Sequence, residues 1–209
     1  MAITQEEYGI TLRRAFKEHY DEGSDVWSND RAMRAFPSVV QGFLKLPFKT
    51  RVLDVGCGNG EDLEYFAKVF SNAVGVDLVE HQNWNALTEG YQNISFHESP
   101  FLGLENPGEF DLILDNGCFH HQHPDDYMSY LEKIKISLDR LGWLVISTFK
   151  SNVQTELIDS KGRLHRYFSD SELEDLLRCA GFSMHESIDL FRIEPGDYYR
   201  LSFLNLSKN

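Results

Sequence analysis

The chain has 209 residues, of which 42% are hydrophobic and 13% aromatic, so we expect one domain, or at most two, around a substantial core. Acidic residues number 33 against 20 basic ones, which gives a net charge of −13. Residues 1–50 are balanced in charge, so the remainder carries the whole acidic excess. Such a surface repels a phosphate backbone, and we therefore expect no nucleic-acid partner.

Targeting and membrane segments are not evident in the sequence. The first residues, MAITQEEYGITLRR, include no apolar segment of the secretory type, and no stretch approaches the roughly 18 apolar residues that span a bilayer. Three scattered cysteines are too few for a disulfide framework or a metal knuckle. We expect a cytoplasmic protein without a membrane partner, and the sequence leaves its oligomeric state open.

Residues 1–48 are expected to form a helical piece of their own, ahead of a larger domain over 49–209. The spacing of apolar residues predicts one helix over 5–20 and a second over 29–46, with a polar turn between them. Pro37 should kink or divide the second helix, because proline lacks the N–H of the helical hydrogen bond.

From residue 51 onward, short apolar runs alternate with amphipathic stretches. Predicted strands cover 51–55, 73–79, 93–96, 110–115 and 143–149. Predicted helices cover 61–70, 81–91, 123–142 and 169–181. This alternation is typical of right-handed βαβ units that form a parallel sheet. Two final extended runs, 182–191 and 198–207, have too few residues between them for a helix, so they are expected to pair antiparallel.

The turn after the first predicted strand reads GCGNG and holds three glycines at alternate positions, Gly56, Gly58 and Gly60. Ligands of open α/β sheets bind beyond the strand ends, where glycine lets them approach the backbone and a helix N-terminus offers free N–H groups. A single glycine would fit a merely tight turn, whereas three predict a ligand site. The spacing differs from the G-x-G-x-x-G of dinucleotide sites.

Asp77 ends the second predicted strand, where a carboxylate can accept both ribose hydroxyls of an adenosyl group. On these residues alone, nicotinamide cofactors remain an alternative.

The segments VLDVGCGNG, VGVD and FDLILDNGCFHH, in this order and spacing, resemble the class I S-adenosylmethionine-dependent methyltransferases. The resemblance covers residues 51 to about 206 and is nearest to small-molecule branches such as the thiopurine and tellurite-resistance methyltransferases. It implies an α/β, Rossmann-like fold with a seven-stranded, mostly parallel sheet in the order 3-2-1-4-5-7-6, the last strand antiparallel. Helices are expected on both faces, with the N-terminal helices as a lid; simple packing of these helices on the sheet is the alternative.

The resemblance also implies a site for S-adenosylmethionine and its product S-adenosylhomocysteine. The three glycines of the turn would line the methionine part, with Asp54 organising their loop. Asp115 and Asn116, at the end of the fourth predicted strand, would face the methionine ammonium and the sulfonium.

The adenosine part is expected beside the second and third strands. Asp77 would hold the ribose, and Leu78 would pack on the adenine. After the third strand the family usually has an acidic residue that accepts from the adenine amino group, and here Ser99, followed by Pro100, occupies that place. Either Ser99 makes this contact or Glu98 replaces it.

Methyl transfer from a sulfonium is an in-line displacement, which mainly requires alignment and exclusion of water. A base is needed only when the acceptor must lose a proton early. The resemblance places His120 and His121 between cofactor and acceptor, and imidazole can take a proton at neutral pH. Contact with the acceptor and proton removal both remain open as their roles. His121, His123 and Asp125 could in principle bind a metal, but a helix entry explains the last two, so no metal is expected.

The acceptor is expected between the N-terminal helices and the carboxyl ends of the strands. The residues predicted to contact it are four aromatics and one cation: Tyr20, Trp27, Phe119, Phe149 and Arg166. Arg166 belongs to the segment 159–168, whose cations would neutralise a carboxylate or phosphate on the acceptor. A solvated basic loop is the alternative for that segment.

The sequence therefore predicts an S-adenosylmethionine-dependent methyltransferase that acts on an oxygen, nitrogen or sulfur of a small molecule. A small acceptor is favoured because little chain remains beyond the core sheet to build specificity. A non-catalytic S-adenosylmethionine-binding adaptor or sensor is one alternative. A nicotinamide-dependent oxidoreductase is another, although the glycine spacing and the antiparallel C-terminal pair do not fit it.

Overall fold

The computed structural model of the chain describes residues 4–24, 26–45, 49–105, 107–151, 155–191 and 197–207. Two helices, α1 (Gln5–Glu22) and α2 (Arg31–Phe43), precede the first strand. A capping box between Thr4 and Glu7 begins α1. The Asp30 carboxylate begins α2 by accepting hydrogen bonds from two backbone amides.

Strands and helices then alternate along the chain. The strands of the large sheet are β1 (Arg51–Val55), β2 (Asn72–Asp77), β3 (Ile94–Glu98), β4 (Phe110–Asn116), β5 (Leu138–Ser151), β8 (Phe182–Phe191) and β9 (Asp197–Leu206). The remaining helices are α3 (Glu61–Ala67), α4 (Asn83–Gly90), α5 (Tyr127–Ser137) and α6 (Asp170–Cys179). A short hairpin of β6 (Glu156–Ile158) and β7 (Leu164–Arg166) lies between β5 and α6.

The large sheet has the order β3-β2-β1-β4-β5-β9-β8. Strands β1 to β5 are parallel, whereas β9 runs antiparallel to both β5 and β8. The predicted seven-stranded order is confirmed, with β8 and β9 as its sixth and seventh strands. The strand order reverses between β1 and β4, and this switch point is where open α/β sheets bind ligands.

The core lies on both faces of this sheet. On one face, α5 and α6 bury residues such as Tyr130, Leu131 and Leu173. On the other, α2, α3 and α4 bury residues such as Phe36 and Leu63. Helix α2 therefore belongs to the core of the sheet, whereas α1 contributes to a separate small cluster and lies over the strand ends. The predicted boundary at residue 48 falls outside the described residues and stays a prediction.

The helix predicted over 123–142, with its start after Pro124, extends too far toward Gly142. A 3-10 turn at Pro124–Asp126 precedes α5, and the chain is already extended at Leu138. Gly142 does not end the helix. A side chain there would meet the Phe110 carbonyl oxygen at 2.8 Å, so its glycine permits a close approach of two strands.

Of the two predicted effects of Pro37, a kink or a division of α2, the division is wrong, because the helix runs through Pro37 from Arg31 to Phe43. Proline leaves the carbonyl four residues earlier, that of Met33, without its helical donor. The Asn116 side chain supplies that donor, since its Nδ2 lies 3.2 Å from the Met33 oxygen. The proline is thus accommodated by a hydrogen bond from the end of β4.

Candidate active site

A cavity of about 1070 Å³ opens at the carboxyl ends of the central strands, between the sheet and α1. Its volume suits the ligand of a small-molecule enzyme. One end is lined by the glycine turn and the ends of β2 and β4, and the other by histidine and aromatic rings. We call these the cofactor end and the acceptor end.

The three glycines of the turn all have left-handed backbone, with φ of 74° at Gly56, 51° at Gly58 and 83° at Gly60. Gly56 and Gly58 line the cavity, but Gly60 does not. A Cβ at Gly60 would meet Leu87 Cδ1 at 2.7 Å and Phe96 Cζ at 2.9 Å. Glycine at position 60 therefore leaves room for the packing of Leu87 and Phe96, and a ligand is not needed to explain it.

Asp77 lies in the cavity wall beside this turn. Its Oδ2 accepts from the Gly58 amide at 2.9 Å, and its Oδ1 accepts from the Val79 amide at 3.1 Å. Burial raises the pKa of Asp77 to about 6, although these amide hydrogen bonds lower it. Each oxygen keeps a second lone pair, so the carboxylate can still accept hydroxyl donors.

Two further carboxylates and an amide lie at the cofactor end. Burial raises the pKa of Asp62 to about 7, although a hydrogen bond from Asn116 lowers it. Burial also raises the pKa of Asp54, and nearby carboxylates add to this. Asn116 Nδ2 donates to Asp62 Oδ2 at 2.7 Å and to the Met33 carbonyl oxygen. Two buried oxygens at this end, Asn116 Oδ1 and Asp54 Oδ2, have no hydrogen-bond partner among the described residues.

These buried acceptors fit a cationic ligand that brings N–H donors, as the ammonium of S-adenosylmethionine does. A group with positive charge would also relieve the repulsion among the carboxylates. Asp62, which is absent from the predicted site residues, is in the first turn of α3 and lines the cavity. Its position in the first turn after the glycines is the signal that could have found it.

Asp115 is placed differently from its predicted position opposite the methionine. It is fully buried and is not in the cavity wall. The carboxylate accepts from Tyr130 Oη at 2.6 Å and from the amides of Cys118 and Phe119. Asp115 thus organises the turn after β4, and only its neighbour Asn116 reaches the cavity.

At the far side of the cofactor end, Leu78, Ser99 and Pro100 line the cavity. Ser99 Oγ donates to the Pro100 carbonyl at 3.0 Å. Glu98 instead pairs with Arg13 of α1 at 2.9 Å and is not part of the cavity wall. Of the two predicted alternatives for the adenine contact, the geometry favours Ser99.

The acceptor end is formed by four neighbouring rings, His120, His121, Phe149 and His165, which we call the ring wall. The His120 ring stacks on Phe149 with centroids 3.7 Å apart, and the His165 ring lies nearly parallel to Phe149 with centroids 5.5 Å apart. His121 contacts both other imidazoles, at 4.4 and 4.8 Å between centroids.

Each histidine of the ring wall has a different partner. His120 Nδ1 accepts from the Phe149 amide at 3.3 Å, and His121 Nδ1 lies 2.6 Å from the Leu164 carbonyl. His165 Nε2 lies 3.3 Å from Asp159 Oδ2. Burial lowers the pKa of His121 to about 3, and the neighbouring His165 and Arg163 contribute. His121 is therefore neutral at ordinary pH.

Helix α1 is held over the cavity by the β6–β7 hairpin. Tyr8 Oη donates to the His121 carbonyl at 2.6 Å and accepts from the Leu164 amide at 3.0 Å. Lys161, between the two hairpin strands, pairs with Glu18 and Glu22 of α1. These contacts join α1 to the hairpin and to the turn after β4.

The predicted aromatics of the N-terminal turn both line the cavity. Tyr20 and Trp27 contact each other, with ring centroids 6.1 Å apart. The Arg163 guanidinium lies over the Trp27 ring at 5.3 Å and also over Phe16. Arg163 is buried and lines the cavity, so the hairpin does bring a cation to the site.

Two predicted acceptor contacts do not line the cavity. Phe119 is fully buried and packs on Tyr127 and Phe168, away from the cavity. Arg166 pairs with Glu172 and lies outside the cavity wall. Side chains alternate along a strand, so His165 faces the cavity and Arg166 does not. Arg166 was predicted as the acceptor contact because a strand of three residues is too short to show this alternation in the sequence.

Two negative findings concern the described residues alone. Within them, no group of three or more histidine, cysteine, aspartate or glutamate side chains is arranged to hold a metal ion. Nor does any helix in the described ranges have the length and apolar character needed to cross a membrane.

Comparison with known proteins gives the class to which this fold and site belong. Residues 23–187 match the family model described as a methyltransferase domain. The chain therefore belongs to the methyltransferase domain family.

Among solved structures, the chain resembles the 1,6-didemethyltoxoflavin-N1-methyltransferase of Burkholderia thailandensis, which was solved with 1,6-didemethyltoxoflavin and S-adenosylhomocysteine bound. The two are 34% identical with a TM-score of 0.93, over 100% of this chain and 92% of that one. This similarity extends to the ends of the chain, so it includes α1 and the hairpin as well as the sheet.

Curated relatives are more distant. The human EEF1A lysine methyltransferase 2 is 29% identical over 149 residues, which are 66% of this chain and 62% of that protein. The ubiquinone biosynthesis O-methyltransferase of Acinetobacter baumannii is 26% identical over 67% of this chain and 66% of its own length. The chain thus spans less than two thirds of the human relative. All three similar proteins are methyltransferases, and neither the oxidoreductase nor the adaptor alternative is favoured.

Proposed function

We propose that the chain transfers a methyl group from S-adenosylmethionine to a ring nitrogen of a small, planar heteroaromatic molecule. The observation that carries this proposal is the 34% identity, over the whole chain, to an N1-methyltransferase that binds such a molecule. The cavity supports it, because it has a cofactor end and an acceptor end within one space of about 1070 Å³.

The cofactor end would hold S-adenosylmethionine through the charges and backbone described above. Asp77 is suited to the ribose hydroxyls, and Leu78 with Ser99 and Pro100 to the adenine. The ammonium has two buried acceptors available in Asp54 and Asn116. S-adenosylmethionine supplies a methyl group on a sulfonium, which departs as a neutral thioether.

The acceptor end favours a flat, uncharged ring. Phe149 and the three histidines offer ring faces, and the lid contributes Tyr20 and Trp27. Aromatic rings stack or meet edge to face at centroid separations of about 4.5–7 Å, which suits a planar guest. Arg163 is already paired with Asp159 at 2.7 Å, so it is less available to a carboxylate or phosphate than the sequence suggested.

The similarity to a lysine methyltransferase makes a protein acceptor the competing interpretation. A lysine side chain is long and cationic, whereas the ring wall offers aromatic faces under a lid. Helix α1 lies over the cavity and is joined to the hairpin by Tyr8 and Lys161, which favours a small guest that is enclosed.

The test is incubation of the protein with S-adenosylmethionine and 1,6-didemethyltoxoflavin, followed by mass spectrometry of the small molecules. We expect formation of S-adenosylhomocysteine together with a singly methylated heterocycle. The Asp77→Ala variant is the control, because it should lose turnover through loss of cofactor. Cofactor binding without methylation of this or related nitrogen heterocycles would contradict the proposed acceptor class. Parallel incubation with elongation factor 1A tests the protein-acceptor interpretation.

A further inference from the structure

Methylation of a ring N–H releases a proton, and the ring wall holds three imidazoles that could take it. We propose that His165, held by Asp159, takes up this proton. His120 and His121 each make one fixed hydrogen bond to the same heterocycle, His120 as the donor and His121 as the acceptor. This assignment rests on the proposed function, because it requires an acceptor that carries an N–H. Asp159 would be a positioning residue.

The backbone partners of His120 and His121 determine their neutral tautomers. A backbone amide can only donate, so His120 Nδ1 is the acceptor and its proton lies on Nε2. A carbonyl can only accept, so His121 Nδ1 carries the proton and its Nε2 carries a lone pair. Both rings line the cavity. The wall therefore presents one donor and one acceptor, a pair that matches a heterocycle with adjacent acceptor and donor atoms.

Proton uptake is unfavourable at both of these rings. A proton on His120 Nδ1 would break its hydrogen bond with the Phe149 amide. His121 is almost completely buried beside two other potential cations, His165 and Arg163, which disfavour its charged form.

His165 differs because its partner is a carboxylate. Asp159 Oδ2 lies 3.3 Å from His165 Nε2 and 2.7 Å from Arg163 Nε, and Oδ1 accepts from the amides of Lys161 and Arg163. Burial would raise the pKa of Asp159, but its bonds to Arg163 and His165 hold the pKa well below the usual range. The carboxylate therefore stays ionised, and a negative partner stabilises an imidazolium at His165.

The charged and titratable groups around His165 come from three elements. Asp159 and Arg163 lie on its own hairpin, His121 faces it from the turn after β4, and Tyr8 of α1 bonds to the preceding residue. Burial raises the pKa of Tyr8 to about 12, so this phenol remains neutral. His121 remains neutral as well. Asp159 and Arg163 offset each other, and the Asp159 contact is the direct one.

The chemical step balances with these groups. The acceptor nitrogen forms a bond to the methyl carbon as the carbon–sulfur bond breaks, and the bonding electron pair stays on sulfur. The nitrogen loses its proton to the imidazole of His165, which becomes an imidazolium paired with Asp159. Solvent later takes this proton when the product leaves.

Nitrogen-15 NMR of histidine-labelled protein with S-adenosylhomocysteine tests the assignment without turnover. We expect His165 to take up a proton as the pH is lowered, with the Nδ1–H tautomer at His121 and the Nε2–H tautomer at His120. Asp159→Asn should move the His165 midpoint to lower pH and leave the tautomers of the other two rings unchanged, because their partners are backbone groups. The assignment is wrong if His165 does not titrate, or if its titration midpoint is the same in the Asp159→Asn variant.

Kinetics with 1,6-didemethyltoxoflavin give the second test. His165→Gln should lower kcat about 100-fold, with little change in KM, and should abolish the acid limb of the pH profile. Asp159→Asn should lower kcat less and shift that limb to lower pH, which loss of a purely structural contact would not do. Asp175→Asn is the matched control, because this exposed carboxylate pairs with Arg178 on α6, outside the cavity wall.

The two tests separate the possible failures. If the wild-type protein does not methylate the heterocycle, the proposed acceptor class fails while the NMR titration still decides the role of His165. If methylation proceeds and His165→Gln keeps its rate and its acid limb, the proton goes elsewhere and the assignment is wrong.

Discussion

At the cofactor end of the cavity, carboxylates surround a backbone turn, and burial raises the pKa of Asp62 to about 7 and that of Asp77 to about 6. At the acceptor end, the wall consists of rings, and the Asp159 carboxylate beside them is already paired with Arg163. The first end comes from the ends of neighbouring strands, whereas the second needs α1, the turn after β4 and the hairpin. The difference implies that one end is built to attract a cation and the other to enclose a neutral ring.

The largest effect is expected at Gly60, whose role is packing. Gly60→Ala places a Cβ within 2.7 Å of Leu87 and keeps a φ of 83° that alanine disfavours. We expect a loss of about 3 kcal/mol in the free energy of unfolding, measured by urea denaturation. Gly42→Ala in α2 is the control and should stabilise slightly, because nothing lies within 4 Å of it. Equal stability of the two variants would show that the turn is less tightly packed than described.

The second largest effect is expected at Asp77, which is assigned to the ribose at the cofactor end. Asp77→Ala should weaken S-adenosylhomocysteine binding at least tenfold, or about 1.4 kcal/mol, because charge-assisted hydrogen bonds are lost. Isothermal titration calorimetry measures this. Glu98→Ala should leave the affinity nearly unchanged, since Glu98 pairs with Arg13 outside the cavity wall. A strong effect of Glu98→Ala instead would restore it as the adenine contact.

Asp62 is expected to lower the free energy of unfolding and to strengthen cofactor binding. Its pKa is raised above the unfolded value, so its burial is unfavourable above about pH 7 and this penalty disappears as the pH falls and the group is protonated. Asp62→Asn should therefore raise the free energy of unfolding by about 1 kcal/mol at pH 8, and this gain should shrink as the pH falls below about 7 and vanish only near the unfolded pKa of about 4. The same variant should bind S-adenosylhomocysteine more weakly. A gain that is independent of pH would contradict this account.

The smallest effect is expected for Arg166, although the sequence placed it at the acceptor. Its pair with Glu172 is outside the cavity wall, so Arg166→Ala should leave KM for the heterocycle unchanged. Arg163→Ala should raise KM, because this buried guanidinium lies over Trp27 in the cavity. Steady-state kinetics with the two variants compare them directly. The reverse result would mean that the hairpin presents its other face to the acceptor.

Much of the cofactor end could be predicted from the sequence, because its residues follow strands that the apolar pattern marks. Asp77 and Asn116 are at strand ends, and both line the cavity. Asp115 shows the limit, since adjacent residues at a strand end face opposite ways and only one reaches the cavity. Gly60 shows another, because a glycine needed for packing and one needed for a ligand look alike in a sequence.

The acceptor end was harder to predict for a physical reason. His121 and His165 are 44 positions apart in the chain, yet their rings are 4.8 Å apart because β7 packs against the turn after β4. The three-residue hairpin strands are too short to show a period, so the alternation that separates His165 from Arg166 was not visible. The Asp159 contact depends on the same hairpin.

The sequence by itself determined where the strands of the sheet lie and which turn is rich in glycine, since apolar periodicity and glycine spacing act locally along the chain, while the strand order was implied by the family resemblance. Only the tertiary structure decided which side chains meet in the cavity, which histidine has a carboxylate partner, and why α2 can run through Pro37. Those outcomes depend on contacts between segments that are distant in the chain, such as Asn116 with Met33 and His165 with His121.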